Sequence, residues 1–284
     1  MKNTATLLIN CPDRKGLVAR VSGLLYAHGA NITHADQHQD HEAGLFFMRV
    51  EWALPEAKPG DPAAGEFDVA AFRSAFEPVA AELEMVWRLE LSSAVKRVAI
   101  FVSRQTHCLA DLLHRHQAGE LACAIPLIVS NHPDASALAG YYGIPFHCVE
   151  GEARQLELLE REQIDLVVLA RYMQILSPDF VARHRNRIIN VHHSFLPAFV
   201  GARPYHQAFR RGVKLIGSTS HYVTEVLDDG PIIEQDVTRI SHRDELEDLI
   251  EKGRDLERVV LSRAVKWHIE HRILHYGSKT IVFN

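Results

Sequence analysis

The chain has 284 residues, a length that suits a modest regulatory domain joined to a catalytic domain of ordinary size. Hydrophobic residues make up 47% and charged residues 24%, which is the composition of a globular protein and excludes disorder or an unusual scaffold. The formal net charge is -5, with Lys and Arg spread along the length, so there is no basic footprint for a polyanion and nucleic acid is not expected as a partner.

Met1-Lys2-Asn3-Thr4 runs straight into a strand over Ala5 to Asn10. No long apolar segment reads as a signal peptide or membrane span, so a cytoplasmic protein without a membrane partner is expected. Cys11-Pro12-Asp13-Arg14-Lys15-Gly16 breaks the strand with turn chemistry. Leu17, Val18, Val21, Leu24, Leu25 and His28 then share one face of a helix that stops at Gly29. Asn31 to Gln39 and Leu45 to Trp52 read as two strands joined by a polar turn. After a Pro- and Gly-rich loop from Pro55 to Gly65, Phe72, Phe76, Val79 and Leu83 repeat at helical spacing, and Met85 to Leu91 reads as a last strand. The order βαββαβ predicts a ferredoxin-like sandwich over residues 1–92, with a boundary near Ser92-Ser93-Ala94.

From Arg97 the strands become continuous apolar runs, Val98 to Val102, Ile125 to Val129 and Leu166 to Ala170, separated by helical segments at Cys108 to His116 and Ala135 to Tyr142. This predicts a doubly wound, mostly parallel α/β domain over residues 96–284. Ligands in such sheets bind beyond the carboxyl ends of the strands, which singles out the segments after Val102, Ala170 and Val191. A long helix from about Arg243 to His275, apolar at Leu246, Leu249, Leu256, Val260 and Trp267, is expected to close the chain in a packing role. The cysteines Cys11, Cys108, Cys123 and Cys148 form no C-x-x-C pair and read as reduced, mostly buried thiols.

The chemistry concentrates where the strand at Ile188 ends in Asn190-Val191-His192-His193-Ser194-Phe195-Leu196-Pro197. Strand alternation points Asn190 and His192 to the same side, so a carboxamide donor for an oxyanion and an imidazole for a proton face one substrate. Farther on, Asp228 stands in an Asp-Gly-Pro-type turn, where its carboxylate can orient a histidine. Taken alone, Asn, His and Asp fit general acid-base work at a carbonyl or a phosphoryl centre, and each of the two turn-favouring residues could equally cap a turn. His34, Asp36, His38 and Asp40 alternate on one strand face as a conceivable metal set, but a solvated face is the plainer reading and no metal site is expected.

These motifs carry a resemblance. Asn190-Val191-His192-x-Ser194-x-Leu196-Pro197, Gly217-x-Thr219-x-His221-Tyr222-Val223 and Leu227-Asp228-x-Gly230-Pro231 look like the formyltransferase fold shared by glycinamide ribonucleotide transformylase, methionyl-tRNA formyltransferase and formyltetrahydrofolate deformylase. The resemblance implies a catalytic trio of Asn190, His192 and Asp228. It also implies a folate pocket lined by the segment Arg171-Tyr172-Met173-Gln174-Ile175-Leu176, with Met173, Gln174, Ile175 and Leu176 as its binding residues, together with Val223, Thr224, Glu225 and Val226. His193, Ser194, His206 and His221 are further active-site candidates, although histidines that satisfy backbone groups are as common. Within that fold the chain is most similar to the deformylases. His193 replaces the proline usual in transformylases, Ser103-Arg104-Gln105-Thr106-His107-Cys108 replaces a small phosphate-holding loop, and the front domain resembles an ACT domain.

The resemblance therefore implies hydrolysis of 10-formyltetrahydrofolate to tetrahydrofolate and formate without a metal or other cofactor, linked to one-carbon balance and purine synthesis. It further implies an amino-acid effector at Asp13, Arg14, Gly16 and Leu17, and a homo-oligomer. The competing readings are a formyltransferase with an unidentified amine acceptor, which would need that acceptor for turnover, and a non-catalytic folate or amino-acid sensor, for which an intact trio has no use.

Overall fold

The computed structural model describes residues 3–54, 67–198 and 203–284; the loop expected between Pro55 and Gly65 lies outside these residues. The chain divides into two compact units, one of Met1–Ala94 with His271–Leu274 and Ile281–Asn284, the other of Val95–Glu270 with His275–Thr280.

The first unit has the expected order: β1 (Thr4–Pro12), α1 (Leu17–Ala27), β2 (Asn31–Asp40), β3 (Leu45–Ala53), α2 (Val69–Glu82) and β4 (Val86–Leu91). Its sheet runs β2-β3-β1-β4 and every pairing is antiparallel. Alternation along β1 sends Leu7 and Ile9 into one core with Leu17, Val21 and Leu25 of α1 and Phe72 and Phe76 of α2. Val18, placed on that helix face from the sequence, is 40% exposed, because the buried stripe keeps strictly to every fourth residue. Aromatic rings fasten the core: Phe72 lies 5.5 Å from Phe76 and 5.7 Å from Trp52, centroid to centroid. Asp68 caps α2 by accepting from the backbone of Ala70 and Ala71, each at 2.9 Å. The edge strand β2 is exposed along most of its length, as a solvated His and Asp face should be.

The end of the chain also meets this sheet, which corrects the reading of the C-terminus. The last helix, α8 (Leu246–Ile269), stops short of His275 and is followed by a hairpin, β12 (Ile273–Tyr276) and β13 (Lys279–Val282). Helical spacing hid the alternation of Ile273, Leu274 and Tyr276 around a turn with Gly277 at φ 53°. Within the first unit, Arg49 donates to the carbonyl of His271 at 3.0 Å and Arg88 to that of Ile273 at 3.2 Å.

The second unit runs β5 (Lys96–Val102), α3 (His107–Gln117), β6 (Cys123–Ser130), a 3-10 turn (Pro133–Ala135), α4 (Ser136–Tyr141), β7 (Phe146–Cys148) and α5 (Glu152–Arg161). It continues with β8 (Leu166–Leu169), α6 (Pro178–Arg183), β9 (Ile188–His192), α7 (Pro204–Arg211), β10 (Leu215–Tyr222), β11 (Ile232–Arg239) and α8. The strand order is β11-β10-β9-β8-β5-β6-β7, with β9 to β7 parallel and β10 and β11 antiparallel additions. The chain reverses its direction of travel between β5 and β8, so the crevice beyond their carboxyl ends is where such a sheet receives a ligand. The two loops there are tied together. Ser103 accepts a hydrogen bond at Oγ from the Met173 backbone at 3.0 Å, and its own N–H donates to the Arg171 carbonyl at 3.2 Å.

Among the thiols, Cys11 and Cys108 are buried, Cys123 is half-buried and Cys148 is exposed, so burial is less complete than expected. Burial pushes Cys11 up to about 11 and Cys123 up to about 12, which keeps both protonated and unreactive near neutrality. Among the described residues no helix is long and apolar enough to cross a membrane.

Phe72 packs against the rings of His28, Trp52, Phe67 and Phe76 and is fully buried, so Phe72→Ala should destabilise the first unit by about 3–5 kcal/mol. Urea unfolding followed by far-UV circular dichroism would measure this as a lowered midpoint.

Candidate active site

β9 ends at the crevice, and its alternation brings Asn190 and His192 to one cavity of about 580 Å³. Pairing with β10 is antiparallel and sets Thr219 opposite His192 and His221 opposite Asn190. The buried hydroxyls of β10 explain why a strand interior carries Ser and Thr. Ser218 Oγ donates to the His192 carbonyl at 3.0 Å, and Thr219 Oγ1 donates to the Ser194 carbonyl at 2.8 Å while accepting from the Leu196 backbone at 3.1 Å. These bonds fix the backbone on which the imidazole of His192 stands.

Asp228 arrives from the 223–231 connection, with φ 56°, a conformation that Asp tolerates better than most residues. Gly230 is required behind it, since a Cβ there would sit 1.6 Å from the Tyr222 carbonyl oxygen. The Asp228 carboxylate lies 3.3 Å from His192 Nδ1 and 3.8 Å from His221 Nε2, and its side chain is only 8% exposed. Burial raises its carboxyl, but the hydrogen bond from His192 and the surrounding imidazoles outweigh burial and hold it below its ordinary value of 3.8. Nδ1 of His192 therefore carries the proton that it donates to Asp228. Its Nε2 is buried, without a partner among the described residues, on the side chain that borders the cavity.

His221 is oriented from the opposite side. Its Nδ1 donates to the Tyr222 carbonyl at 2.9 Å, so Nε2 holds a lone pair that accepts from Asn190 Nδ2 at 3.3 Å. That bond turns the amide of Asn190 and leaves its second N–H for a ligand. Burial lowers His221, against the raising effects of its Tyr222 hydrogen bond and of Asp228, and keeps it neutral. His193 also borders the cavity, its ring 5.2 Å from that of His192. Burial, with the Arg171 cation added, pushes it down to about 3, so it is an uncharged neighbour.

The remaining candidates separate. Met173 and Ile175, which could have been plain core, are 62% and 78% exposed and border the cavity together with Gln174, Leu176 and the run Val223 to Leu227. His206 of α7 lines it too. Ser194 does not reach the cavity: it is 3% exposed and its hydroxyl donates to the Ala198 carbonyl at 2.7 Å, so it is a loop brace and not an active-site group. In the first unit the Gly16 turn has φ 91° and Arg14 is paired with Glu84 at 2.7 Å, while Leu17 is core, so only backbone at Gly16 and Leu17 could meet an effector.

The sequence reading missed Tyr205, Arg254 and Glu257, which also line the cavity, while Arg171 borders it as the resemblance implied. Glu257 belongs to the helix expected only to pack, yet it is 1% exposed, whereas Leu256 beside it is only half-buried. The available signal was the spacing of Leu249, Gly253 and Glu257, which puts the carboxylate on the buried stripe. Helix α8 thus builds the site as well as packing the domain. His107, Cys108 and Glu257 place donor atoms within 4.8 Å of one another, but Arg171 Nε lies 3.5 Å from the same carboxylate, so a metal ion there would meet a resident cation.

Comparison with known proteins agrees with this geometry. Residues 96–265 match the formyl transferase family model and residues 5–51 that of the ACT domain. The chain is 53% identical to a formyltetrahydrofolate deformylase of Synechocystis, covering 99% of this chain and 98% of the relative, and 52% identical to that of Bacillus subtilis, covering 98% and 93%. It superposes on the crystal structure of a formyltetrahydrofolate deformylase from Pseudomonas syringae with a TM-score of 0.93 at 48% identity, over 100% of this chain and 95% of the other. A glycinamide ribonucleotide transformylase from Symbiobacterium toebii matches 69% of this chain and 98% of its own, with a TM-score of 0.65 at 28% identity. The chain belongs to the formyltetrahydrofolate deformylase family, with an ACT domain in front of a formyl transferase domain.

Proposed function

We propose that this protein hydrolyses 10-formyltetrahydrofolate to tetrahydrofolate and formate. The observation that carries the reading is the meeting of Asn190, His192 and Asp228 at one cavity, with Nε2 of His192 buried and unpartnered. Water hydrogen-bonded to that nitrogen attacks the formyl carbon, and its proton passes to His192. The resulting imidazolium is stabilised by Asp228 3.3 Å away. The free N–H of Asn190 donates to the developing oxyanion. The C–N10 bond then breaks as His192 returns its proton to N10, which leaves formate and neutral tetrahydrofolate. The apolar loops, Met173 to Leu176 and Val223 to Val226, take the rings of the folate. No metal or cofactor enters these steps.

Release of formate and tetrahydrofolate in equal, catalytic amounts from 10-formyltetrahydrofolate without an acceptor would support this reading, and a stable substrate would overturn it. We place the activity in the cytoplasm, where it balances one-carbon pools and supplies formate for purine synthesis. The exposed edge strand β2 offers the backbone groups through which a homo-oligomer could form.

Asp228→Asn keeps the shape but removes the charge that supports the imidazolium, so kcat should fall by about a thousand- to ten-thousand-fold with little change in thermal stability. Stopped-flow absorbance and a melting curve measure the two effects separately. For His193, the folded protein resists protonation until about pH 3, whereas the unfolded chain takes up the proton near 6.5. Its contribution to stability is therefore complete above pH 6.5 and is lost as the pH falls toward 3. Denaturant midpoints taken between pH 7 and 4 should fall less steeply for His193→Gln than for the natural chain. An amino-acid effector at the Asp13, Arg14, Gly16 and Leu17 turn should give saturable heat with glycine or methionine in titration calorimetry on the full chain. Absence of heat with the common amino acids would leave the ACT domain as an assembly module.

A further inference from the structure

Three polar side chains at the cavity have no part in the hydrolytic steps: Arg171, Tyr205 and Glu257. They are bonded to one another. Tyr205 Oη donates to Glu257 Oε1 at 2.7 Å, and Arg171 Nε lies 3.5 Å from Oε2. Behind them His107 Nε2 donates to the same Oε2 at 2.7 Å. Arg171 Nε also donates to Gln105 Oε1 at 3.1 Å. Both carboxylate oxygens are thus engaged, and the Arg171 and Glu257 side chains are 10% and 1% exposed. The group stands next to the catalytic histidine, since the Tyr205 ring is 5.8 Å from that of His193, which is 5.2 Å from that of His192.

Two local costs serve this one arrangement. Arg171 has φ 62°, a left-handed backbone that Gly or Asn adopts more readily than Arg. Gly253 lies inside α8, where glycine weakens a helix, and a Cβ there would sit 2.1 Å from Tyr205 Oη. The glycine lets Tyr205 cross the helix and reach Glu257 one turn on. Departures from local preference that converge on one cluster beside a reactive group point to a selected role.

We propose that the Arg171–Glu257–Tyr205 wall reserves the reaction for water by closing the room beside His192 that an amine acceptor would need. The proposal rests on the hydrolytic reading above. An amine reaches neutral solution mostly as an ammonium ion, and it needs both space and a free carboxylate to be held and deprotonated. Here the carboxylate that could serve is covered by a guanidinium, and its oxygens are taken. Burial raises the Glu257 carboxyl, but the hydrogen bonds from His107 and Tyr205 and the Arg171 cation outweigh burial and hold it down, so it stays a charged, occupied partner. Water needs neither that charge nor that room. With the wall opened, an amine would attack the formyl carbon. The C–N bond to the amine would form, the C–N10 bond would break, and the proton lost by the amine would pass through His192 to N10.

Arg171→Gly suits the backbone at this position and uncovers the cavity side of the Glu257 carboxylate, with His107 still bonded behind it, whereas Arg171→Lys keeps a cation. Each full-length variant is incubated with 10-formyltetrahydrofolate in the presence and absence of glycinamide, and formate and N-formylglycinamide are quantified. The natural chain and Arg171→Lys should yield formate alone, and Arg171→Gly should raise the amine-to-water ratio by about tenfold or more. A folded Arg171→Gly with an unchanged ratio overturns the proposal. Should that variant fail to fold, Arg171→Asn is read by the same ratio, and then Tyr205→Phe, which frees Oε1 while leaving the charges paired. Absence of formate from the natural chain would instead count against hydrolysis itself.

Discussion

The antiparallel register between β9 and β10 is the constraint on which the site depends. It sets His221 opposite Asn190 and Thr219 opposite His192, so that one strand carries the reacting groups and its neighbour carries their supports. A slip of a single residue would turn Asn190 and His192 to the other face of the sheet and bury them among helices. The register is held by more than the ladder, because Ser218 and Thr219 bond sideways to the carbonyls of His192 and Ser194. In a sheet otherwise wound in parallel, this antiparallel addition runs β10 back along β9 until Tyr222 faces Ile189, and the loop that follows returns Asp228 to His192.

Much of this was legible in the sequence, for a physical reason. Residues that break a local pattern stand out against it, and Asn190 and His192 interrupt an apolar strand just as Asp228-Asp229-Gly230-Pro231 interrupts the chain between two others. Short alternating strands and fourth-residue stripes likewise gave the βαββαβ order of the front unit. The short elements β7, α6 and α7 carry too few residues to show a period, and the terminal hairpin imitates a helix through Trp267, Leu274 and Tyr276.

Glu257, and its pairing with Arg171, were invisible for the opposite reason. A glutamate in a charge-rich helix reads as solvated, and the resemblance that put Arg171 at the folate pocket gave it no partner. Each is buried only because the other, 86 residues away in sequence, neutralises it, and no local pattern records a pairing of that range. Ser194 shows the converse error: a hydroxyl inside a functional motif was counted as chemistry, although its bond to Ala198 makes it part of the loop's frame.

Two sets of ion pairs differ in their access to water. Arg14 with Glu84 and Arg20 with Glu82 join the first helix of the ACT domain to the end of its second, and all four side chains are more than a third exposed. Those at the catalytic cavity, His192 with Asp228 and Arg171 with Glu257, are at most a tenth exposed. Dissolved ions screen the first kind and scarcely reach the second. Ionic strength therefore acts on these contacts selectively, loosening the clasp between the helices of the ACT domain while the electrostatics of the catalytic centre stay as they are in dilute buffer.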